Sequence, residues 1–355
     1  MTTLLDARSA DDGSEPRLPT AGLAAAPLVD PFGRAIGYLR LSVTDRCNFR
    51  CVYCMAESMK FLPHAAVLSL EELDRLCAIF IRLGVRKIRL TGGEPLVRRG
   101  VMTLVQSLAQ RLSRGELDEL TLTTNGSQLA SYASELAACG VKRVNVSLDT
   151  LDPAAFAAIC RRGELAEVLA GIDAADRAGL KVKINAVAQN DVSEACAESL
   201  IRWAHGRGYD VAFIEVMPLG DVQAGWSQRF VPLARLRAEL AERLTLTGAA
   251  YRSAGPARYW RVEETGGLVG FITPMTHSFC ESCNRVRLTC SGRLYLCLGQ
   301  EMAVDLAGVL RRGDDEAVEA AIREAVARKP IGHGFAEAAT GRPHASARSI
   351  SLTGG

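Results

Sequence analysis

Residues 45–54 read D-R-C-N-F-R-C-V-Y-C, which sets Cys47, Cys51 and Cys54 in a C-x3-C-x2-C spacing. Three thiolates this close can wrap one iron–sulfur cubane, whose four irons normally take one thiolate each. One iron is then left open to an organic ligand. An electron-transfer ferredoxin would supply a fourth cysteine, but the next in the chain, Cys77, falls on the apolar face of a helical stretch. The competing chemistry is zinc, which would need a fourth ligand from elsewhere and whose cysteine pairs usually read C-x2-C.

Residues 280–298 read C-E-S-C-N-R-V-R-L-T-C-S-G-R-L-Y-L-C-L. Cys280, Cys283 and Cys297 repeat the three-ligand arrangement as C-x2-C-x13-C. Cys290 is the alternative third ligand, and a structural zinc site could use all four. Arg285 and Arg287 stand two apart in a β-type run, so their side chains point to one side. Two guanidiniums beside a metal site make an anion clamp. In a chain where 36 of 42 basic residues are Arg, a solvated strand face is the plainer explanation of the pair. The phosphate loop G-x4-G-K-[ST] is absent, so a polyphosphate would have to be met by cations gathered from separate elements.

Those elements read as alternating strands and helices. Short β-type runs occur at Ile36–Val43, Arg86–Leu90, Glu119–Thr123, Arg143–Leu148, Val182–Val187 and Val211–Val216. Helical periodicity fills roughly 69–83, 99–113, 128–139, 164–178 and 195–207, the first opening on a Ser69/Glu72 capping box. Six strands joined by helices predict an α/β fold with a parallel sheet, a partial (β/α)6 TIM-type barrel, with a doubly wound open sheet as the rival. Chemistry in either belongs at the carboxyl ends of the strands. There lie Cys47, the turn T-G-G-E-P (91–95), T-N-G (124–126), Ser147, Asp149, Asn185 and Met217-Pro218. The expected division is a flexible tail over 1–30, the barrel domain over 31–230, and a C-terminal α+β iron–sulfur region over 231–355.

The bulk numbers narrow the class. With 48% hydrophobic and 23% charged residues over 355 positions, the chain is globular and can bury a sizeable core. A formal net charge of +2 gives no long-range field for nucleic acid or an anionic membrane. Eleven cysteines, an odd number in tight groups, argue against a disulfide framework and for metal ligation in a reducing compartment. No export segment and no apolar run of 18 residues is seen, so a cytoplasmic protein is expected.

The C-x3-C-x2-C spacing with Tyr53 before the last Cys resembles the signature of the radical S-adenosylmethionine superfamily. The superfamily's glycine-rich loop is similar to T-G-G-E-P. Both cysteine groups, N-R-V-R (284–287) and the terminal Gly354-Gly355 together resemble the GTP 3′,8-cyclases, from about residue 32 to the end. That resemblance implies two [4Fe–4S] clusters, S-adenosylmethionine as cofactor, GTP as substrate, and a first step of molybdenum-cofactor biosynthesis. It further implies that Tyr53, Gly93, Ser147 and Met217 hold S-adenosylmethionine. Arg40, Arg89, Thr123, Lys183, Arg285, Val286 and Arg287 would line the GTP site, and Gly354 and Gly355 would act in catalysis. Thr353 departs from the apolar residue expected before that glycine pair. The implied partners are an external electron donor and cyclic pyranopterin monophosphate synthase as recipient of the product, with the enzyme a monomer or a homodimer. Another radical enzyme with an auxiliary cluster, acting on a peptide or nucleotide, is the alternative.

Overall fold

The computed structural model describes residues 26–190, 194–220, 225–251, 255–335 and 348–354. Residues 1–25 of the expected tail, and Gly355, lie outside the described residues. Within the described part, Leu28 packs into the core and Asp30 pairs with Arg34, so the chain is anchored before residue 31.

Six strands form the frame: β1 (Tyr38–Ser42), β2 (Lys87–Thr91), β3 (Glu119–Thr124), β4 (Arg143–Ser147), β5 (Lys181–Ala188) and β6 (Asp210–Glu215). They pair in parallel in sequence order. The connecting helices are α1 (Leu70–Arg82), α2 (Val101–Ser113), α3 (Leu129–Ala138), α4 (Pro153–Cys160), α5 (Leu165–Arg177) and α6 (Glu194–Gly206). The capping box forms as expected, with Glu72 N–H donating to Ser69 Oγ at 3.1 Å and Ser69 N–H to Glu72 Oε2 at 2.8 Å.

The sheet is an open, partial TIM-type barrel, and residues after 240 extend it at both edges. β9 (Leu268–Ile272) adds in parallel to β6, and β10 (Arg285–Leu288) adds in parallel to β1. Antiparallel strands complete the edges: β7 (Leu246–Gly248) and β8 (Arg258–Val262) beyond β9, β11 (Arg293–Tyr295) and β12 (Ala303–Asp305) beyond β10. The last helices are α7 (Trp226–Arg229), α8 (Leu233–Ala241), α9 (Leu306–Arg312), α10 (Asp315–Val326) and a final turn, α11 (Ile350–Thr353).

Parallel strands covered on both faces usually read as continuous apolar runs. These alternate instead: Y-L-R-L-S, K-I-R-L-T, R-V-N-V-S, K-V-K-I-N. Leu39, Leu41, Ile88, Leu90, Val144, Val146 and Ile184 are buried in the main hydrophobic cluster. The opposite phase turns Tyr38, Arg40, Lys87, Arg89, Arg143, Asn145, Lys183 and Asn185 into one interior cavity. The barrel is therefore lined for a polar ligand rather than filled with aliphatic layers.

Close backbone contacts hold the loops at the strand ends. Gly126, at φ +83° after β3, meets Gly171 of α5 so tightly that a Cβ on Gly171 would collide with the Gly126 carbonyl oxygen. Gly171→Ala should destabilise the fold by about 1–3 kcal/mol, measured as a lowered urea midpoint. Unchanged stability would mean that α5 shifts freely.

Candidate active site

The first cysteine group lies on the loop leaving β1. Gly93 N–H donates to Thr44 O at 2.8 Å and Glu94 N–H to Arg46 O at 2.9 Å, so the T-G-G-E-P turn is laced to that loop. A Cβ on Gly92 would collide with Thr44 O, and one on Gly93 with Arg46 O. The glycines are thus needed here for contact between the two loops, besides any approach of a ligand. Glu94 is fully buried and accepts from Thr124 Oγ1 at 2.8 Å, Asn125 N at 2.6 Å and Leu96 N at 3.1 Å. Burial raises its carboxyl to about 7 despite those donors.

Cys47, Cys51 and Cys54 all face the cavity. Burial, with Glu94 adding, pushes the Cys47 thiol up to about 12. Cys54 is raised well above its ordinary value, chiefly by burial. Cys160 Sγ lies 3.9 Å from Cys51 Sγ, but Cys160 is buried and is not among the cavity-lining residues. Asn125 Nδ2 stands 3.8 Å from Cys47 Sγ and donates to Asn48 Oδ1 at 2.9 Å. Tyr53 donates to Asp149 Oδ2 at 2.9 Å, and Val187 N–H donates to Asp149 Oδ1 at 2.7 Å. Burial raises Asp149 to about 6.

The cavity wall is strongly basic. In register, Tyr38 and Arg40 of β1 stand between Arg285 and Arg287 of β10 on one side and Lys87 and Arg89 of β2 on the other. Glu119 neutralises Lys87 at 2.5 Å and Arg143 at 2.6 Å. Among the described residues, no carboxylate forms an ion pair with Arg40, Arg89, Lys183, Arg285 or Arg287. The Nε atoms of Arg40, Arg89 and Arg285 are buried with no hydrogen-bond partner there. Arg40 is 9% exposed, Arg287 6% and Lys183 8%. Burial and then the Arg287 charge drive Arg40 well below the ordinary guanidinium range. Burial and then Arg285 bring Arg287 down to about 10, and burial brings Lys183 down to about 8. Burial alone would raise Tyr38, but Arg89, Arg40, Arg285 and Lys87 outweigh it and lower the phenol. Cations held this way need an anion.

The second group sits at the other end of the same cavity. Cys280 and Cys283 precede β10, and β10 runs parallel to β1 with Arg285 opposite Tyr38. They therefore lie at the amino ends of the strands, not at the carboxyl ends where all the chemistry was expected. The four steps from Tyr38 to Ser42 set the two groups at least roughly 13 Å apart along the barrel. Cys297 joins Cys280 and Cys283 on the cavity wall; Cys290 is fully buried away from it. Burial would raise Cys283, but Lys329 and Arg285 pull its thiol below the ordinary value. Among the described residues, no three His, Cys, Asp or Glu side chains close on one point as ligands of a single ion would. A cubane is wider and takes one sulfur per iron.

The C-terminal turn also reaches the basic wall. Arg287 Nη1 donates to the carbonyl of Gly354 and, at 3.4 Å, to that of Thr353. Gly354 has φ +75°, and a Cβ there would collide with Thr91 Oγ1. Thr353 is 1% exposed, so its hydroxyl has not kept the tail out. Arg348 stacks 3.8 Å from the Tyr295 ring and donates to Leu298 O at 3.0 Å, which ties the tail to the strand-end loop carrying Cys297.

Of the residues named from sequence, Arg40, Cys47, Cys51, Tyr53, Cys54, Arg89, Gly93, Thr123, Ser147, Lys183, Met217, Cys280, Cys283, Arg285, Arg287 and Cys297 share this cavity. Val286 does not: strand alternation turns its side chain to the opposite face, into the core. Lys87, Arg143, Asn145, Phe279 and His333 also line the cavity and were not singled out. The first three share the strand phase of Arg89, Ser147 and Lys183, which was the signal available.

Residues 41–204 match the Radical SAM superfamily, and residues 209–335 match the family Molybdenum Cofactor Synthesis C. A Brucella canis protein named GTP 3′,8-cyclase is 59% identical over 330 residues, 93% of this chain and 96% of its own. The Agrobacterium fabrum protein of the same name is 59% identical over 331 residues, 93% and 95% of the two chains. The crystal structure of Streptococcus suis SuiB bound to S-adenosylmethionine superposes with a TM-score of 0.61 at 13% identity, over 92% of this chain and 77% of that one. At that identity it speaks for the fold alone.

Removing one uncompensated buried cation should stabilise the ligand-free chain. Arg40→Leu is expected to raise its stability by about 1–2 kcal/mol at low salt. Inorganic triphosphate should stabilise the unsubstituted chain by about 2.7 kcal/mol at a hundredfold excess over its Kd, and Arg40→Leu much less. Thermal unfolding with and without triphosphate measures both, and a variant that is less stable yet equally responsive to triphosphate refutes the reading.

Proposed function

This chain belongs to the GTP 3′,8-cyclase family of the radical S-adenosylmethionine superfamily, and we propose that it joins C3′ of the GTP ribose to C8 of the guanine. The product is (8S)-3′,8-cyclo-7,8-dihydroguanosine 5′-triphosphate, the first step of molybdenum-cofactor synthesis. As a radical S-adenosylmethionine enzyme it uses a [4Fe–4S] cluster and S-adenosylmethionine. The observation that carries the substrate reading is the interior wall of buried and half-buried cations, without carboxylate partners among the described residues, lying between two cysteine triads.

Cys47, Cys51 and Cys54 fit the first cluster: three thiols on one wall of the cavity, with the nearest further sulfur, Cys160, set away from that wall. Cys280, Cys283 and Cys297 fit a second cluster in the same sense. When bound, the first cluster and S-adenosylmethionine would supply the radical chemistry that removes the ribose 3′ hydrogen. Cys280, Cys283 and Cys297 would hold a second cluster at the other end of the cavity, and an external donor would supply the electron that, with a proton, completes the dihydro product.

The chain's own part is to hold and exclude. Tyr53, Gly93, Ser147 and Met217 frame the S-adenosylmethionine end, where Asp149 fixes the Tyr53 hydroxyl. Arg40, Arg89, Lys183, Arg285 and Arg287, with Thr123, receive the triphosphate. Guanidiniums suit it because each presents several donors in a rigid fork. Gly354 accepts a hydrogen bond from Arg287 and so holds that guanidinium in place. The absence of a phosphate loop is explained by this array, which gathers cations from four strands where one glycine-rich turn would otherwise serve.

Anaerobic enzyme given GTP, S-adenosylmethionine and a strong reductant should release 5′-deoxyadenosine only when GTP is present. Arg287→Ala should cut that turnover by roughly 100-fold, or about 2.7 kcal/mol, with iron and sulfide content unchanged. Deoxyadenosine formation indifferent to GTP would sink the substrate assignment.

The Lys183 ammonium is charged below about 8 and neutral above. Its attraction for triphosphate is therefore present at lower pH and lost as pH rises through that value. GTP affinity, measured by calorimetry, should weaken between about pH 7.5 and about pH 9.5, by at most roughly tenfold per pH unit. Lys183→Arg should flatten this slope; an equally steep slope in the variant would assign it to another group.

A further inference from the structure

Lys329 follows α10 and is 2% exposed. Its ammonium donates to Leu296 O at 2.5 Å and stands 3.8 Å from Cys283 Sγ. Among the described residues no carboxylate forms an ion pair with it. Nearby, Asp30 is taken by Arg34, through its Nε at 2.5 Å. That Arg34 also donates to Cys280 O at 2.6 Å, Pro330 O at 2.7 Å and Ile331 O at 2.8 Å. The clamp ties the segment after Lys329 to the first cysteine of the second group, and Gly332 leaves just enough room for Cys280 beside it. Lys329 is thereby held where it is, with one carbonyl and thiol sulfur for company.

A lysine buried this far is expensive unless an opposite charge meets it. Among the described residues, the one candidate anion in contact is the sulfur of Cys283, with Cys297 one residue beyond the carbonyl that Lys329 grips. We propose that Lys329 is the resident counter-charge of the second cysteine triad, holding its sulfurs as thiolates around a cluster and raising that cluster's reduction potential. This rests on the reading that Cys280, Cys283 and Cys297 hold a cluster. A positive charge beside a cluster favours the state carrying one more electron, because that state is the more negative. It also draws electron density from the open iron and so strengthens its hold on a nitrogen or oxygen donor of the substrate. The first triad also has a cation beside it, Arg50, whose Nη1 donates to Cys47 O at 2.6 Å, but there the buried carboxyl of Glu94 acts against it and outweighs it at the Cys47 sulfur. The two sites are thus set to different potentials by their surroundings, with the C-terminal one the easier to reduce. Lys329 is a positioning residue in this scheme, acting through the cluster.

The test uses the full chain with Cys47, Cys51 and Cys54 replaced by Ala, so that paramagnetic resonance reports the second site alone. Lys329→Gln keeps a donor for Leu296 O and removes the charge; Lys329→Arg keeps the charge. In a resonance-monitored redox titration, Lys329→Gln should shift the midpoint negative by at least a tenfold change in the one-electron equilibrium, about 59 mV, while Lys329→Arg stays near the parent. Failure of the Gln variant to assemble a cluster that the Arg variant assembles would equally support a need for charge. An unchanged midpoint in Lys329→Gln, or loss of the cluster in both variants, overturns the proposal. A parent chain with no iron at this site would instead overturn the cluster reading on which it rests.

Discussion

Like charges buried together dominate this structure. Arg40, Arg89, Arg285 and Arg287 come from three adjacent strands and share one wall, without a carboxylate among the described residues to balance them. Each such charge costs several kcal/mol when taken from water unpaired. The offset comes from the other face of the same strands, where Leu39, Leu41, Ile88, Leu90, Val286 and Leu288 pack in the main core. One strand phase stabilises and the other stores the demand for an anion. Glu119 marks where that demand stops, since it neutralises Lys87 and Arg143 toward the amino end of the barrel.

The strand frame was legible because its alternation is so regular: all six predicted runs overlap the observed strands, with ends displaced by no more than two residues. α4 was not, because P-A-A-F-A-A-I-C carries no polar face to reveal a period. Its start was in fact signalled by Asp152, which caps Ala155 N–H at 2.7 Å, and by Pro153 in the first turn. Cys297 could not be separated from Cys290 by spacing, since the choice depends on the β10–β11 hairpin, which turns Cys290 into the interior. Val286 came in with its arginine neighbours and is excluded by period two alone. Lys87 and Arg143 stand in the same phase as Arg89 and Lys183, but in a chain so rich in cations only the register distinguishes a wall from a solvated face. Lys329 belongs to no motif, and burial alone gives it meaning.

The edge strands explain why a second cysteine group exists at the opposite end of the cavity. A barrel closed on its six strands would leave β1 no free edge; this one is open, so β10 can join β1 in parallel and carry its preceding loop to the amino ends. One register, Tyr38 to Arg285 and Arg40 to Arg287, then fixes the distance between the two triads and lays the anion clamp between them. A substrate spanning that distance contacts both ends at once, which a site confined to the carboxyl ends of the strands could not arrange.

The tail completes the same geometry. A guanidinium has five donors in one plane, and Arg287 commits one nitrogen to the carbonyls of Thr353 and Gly354. That commitment aims the rest of the fork along the cavity, so the tail pre-sets the clamp before any anion arrives. Only glycine permits it: at φ +75° with Thr91 Oγ1 against the backbone, a side chain at 354 would push the tail back and free Arg287 to rotate. The anchor for this reach is Arg348, stacked on Tyr295 and bonded to Leu298 O beside Cys297. The tail is therefore registered on the second triad at one end and on the anion clamp at the other. Arg348 at the Cys297 loop and Gly354 at Arg287 are thus the two fixed points of one short stretch of chain.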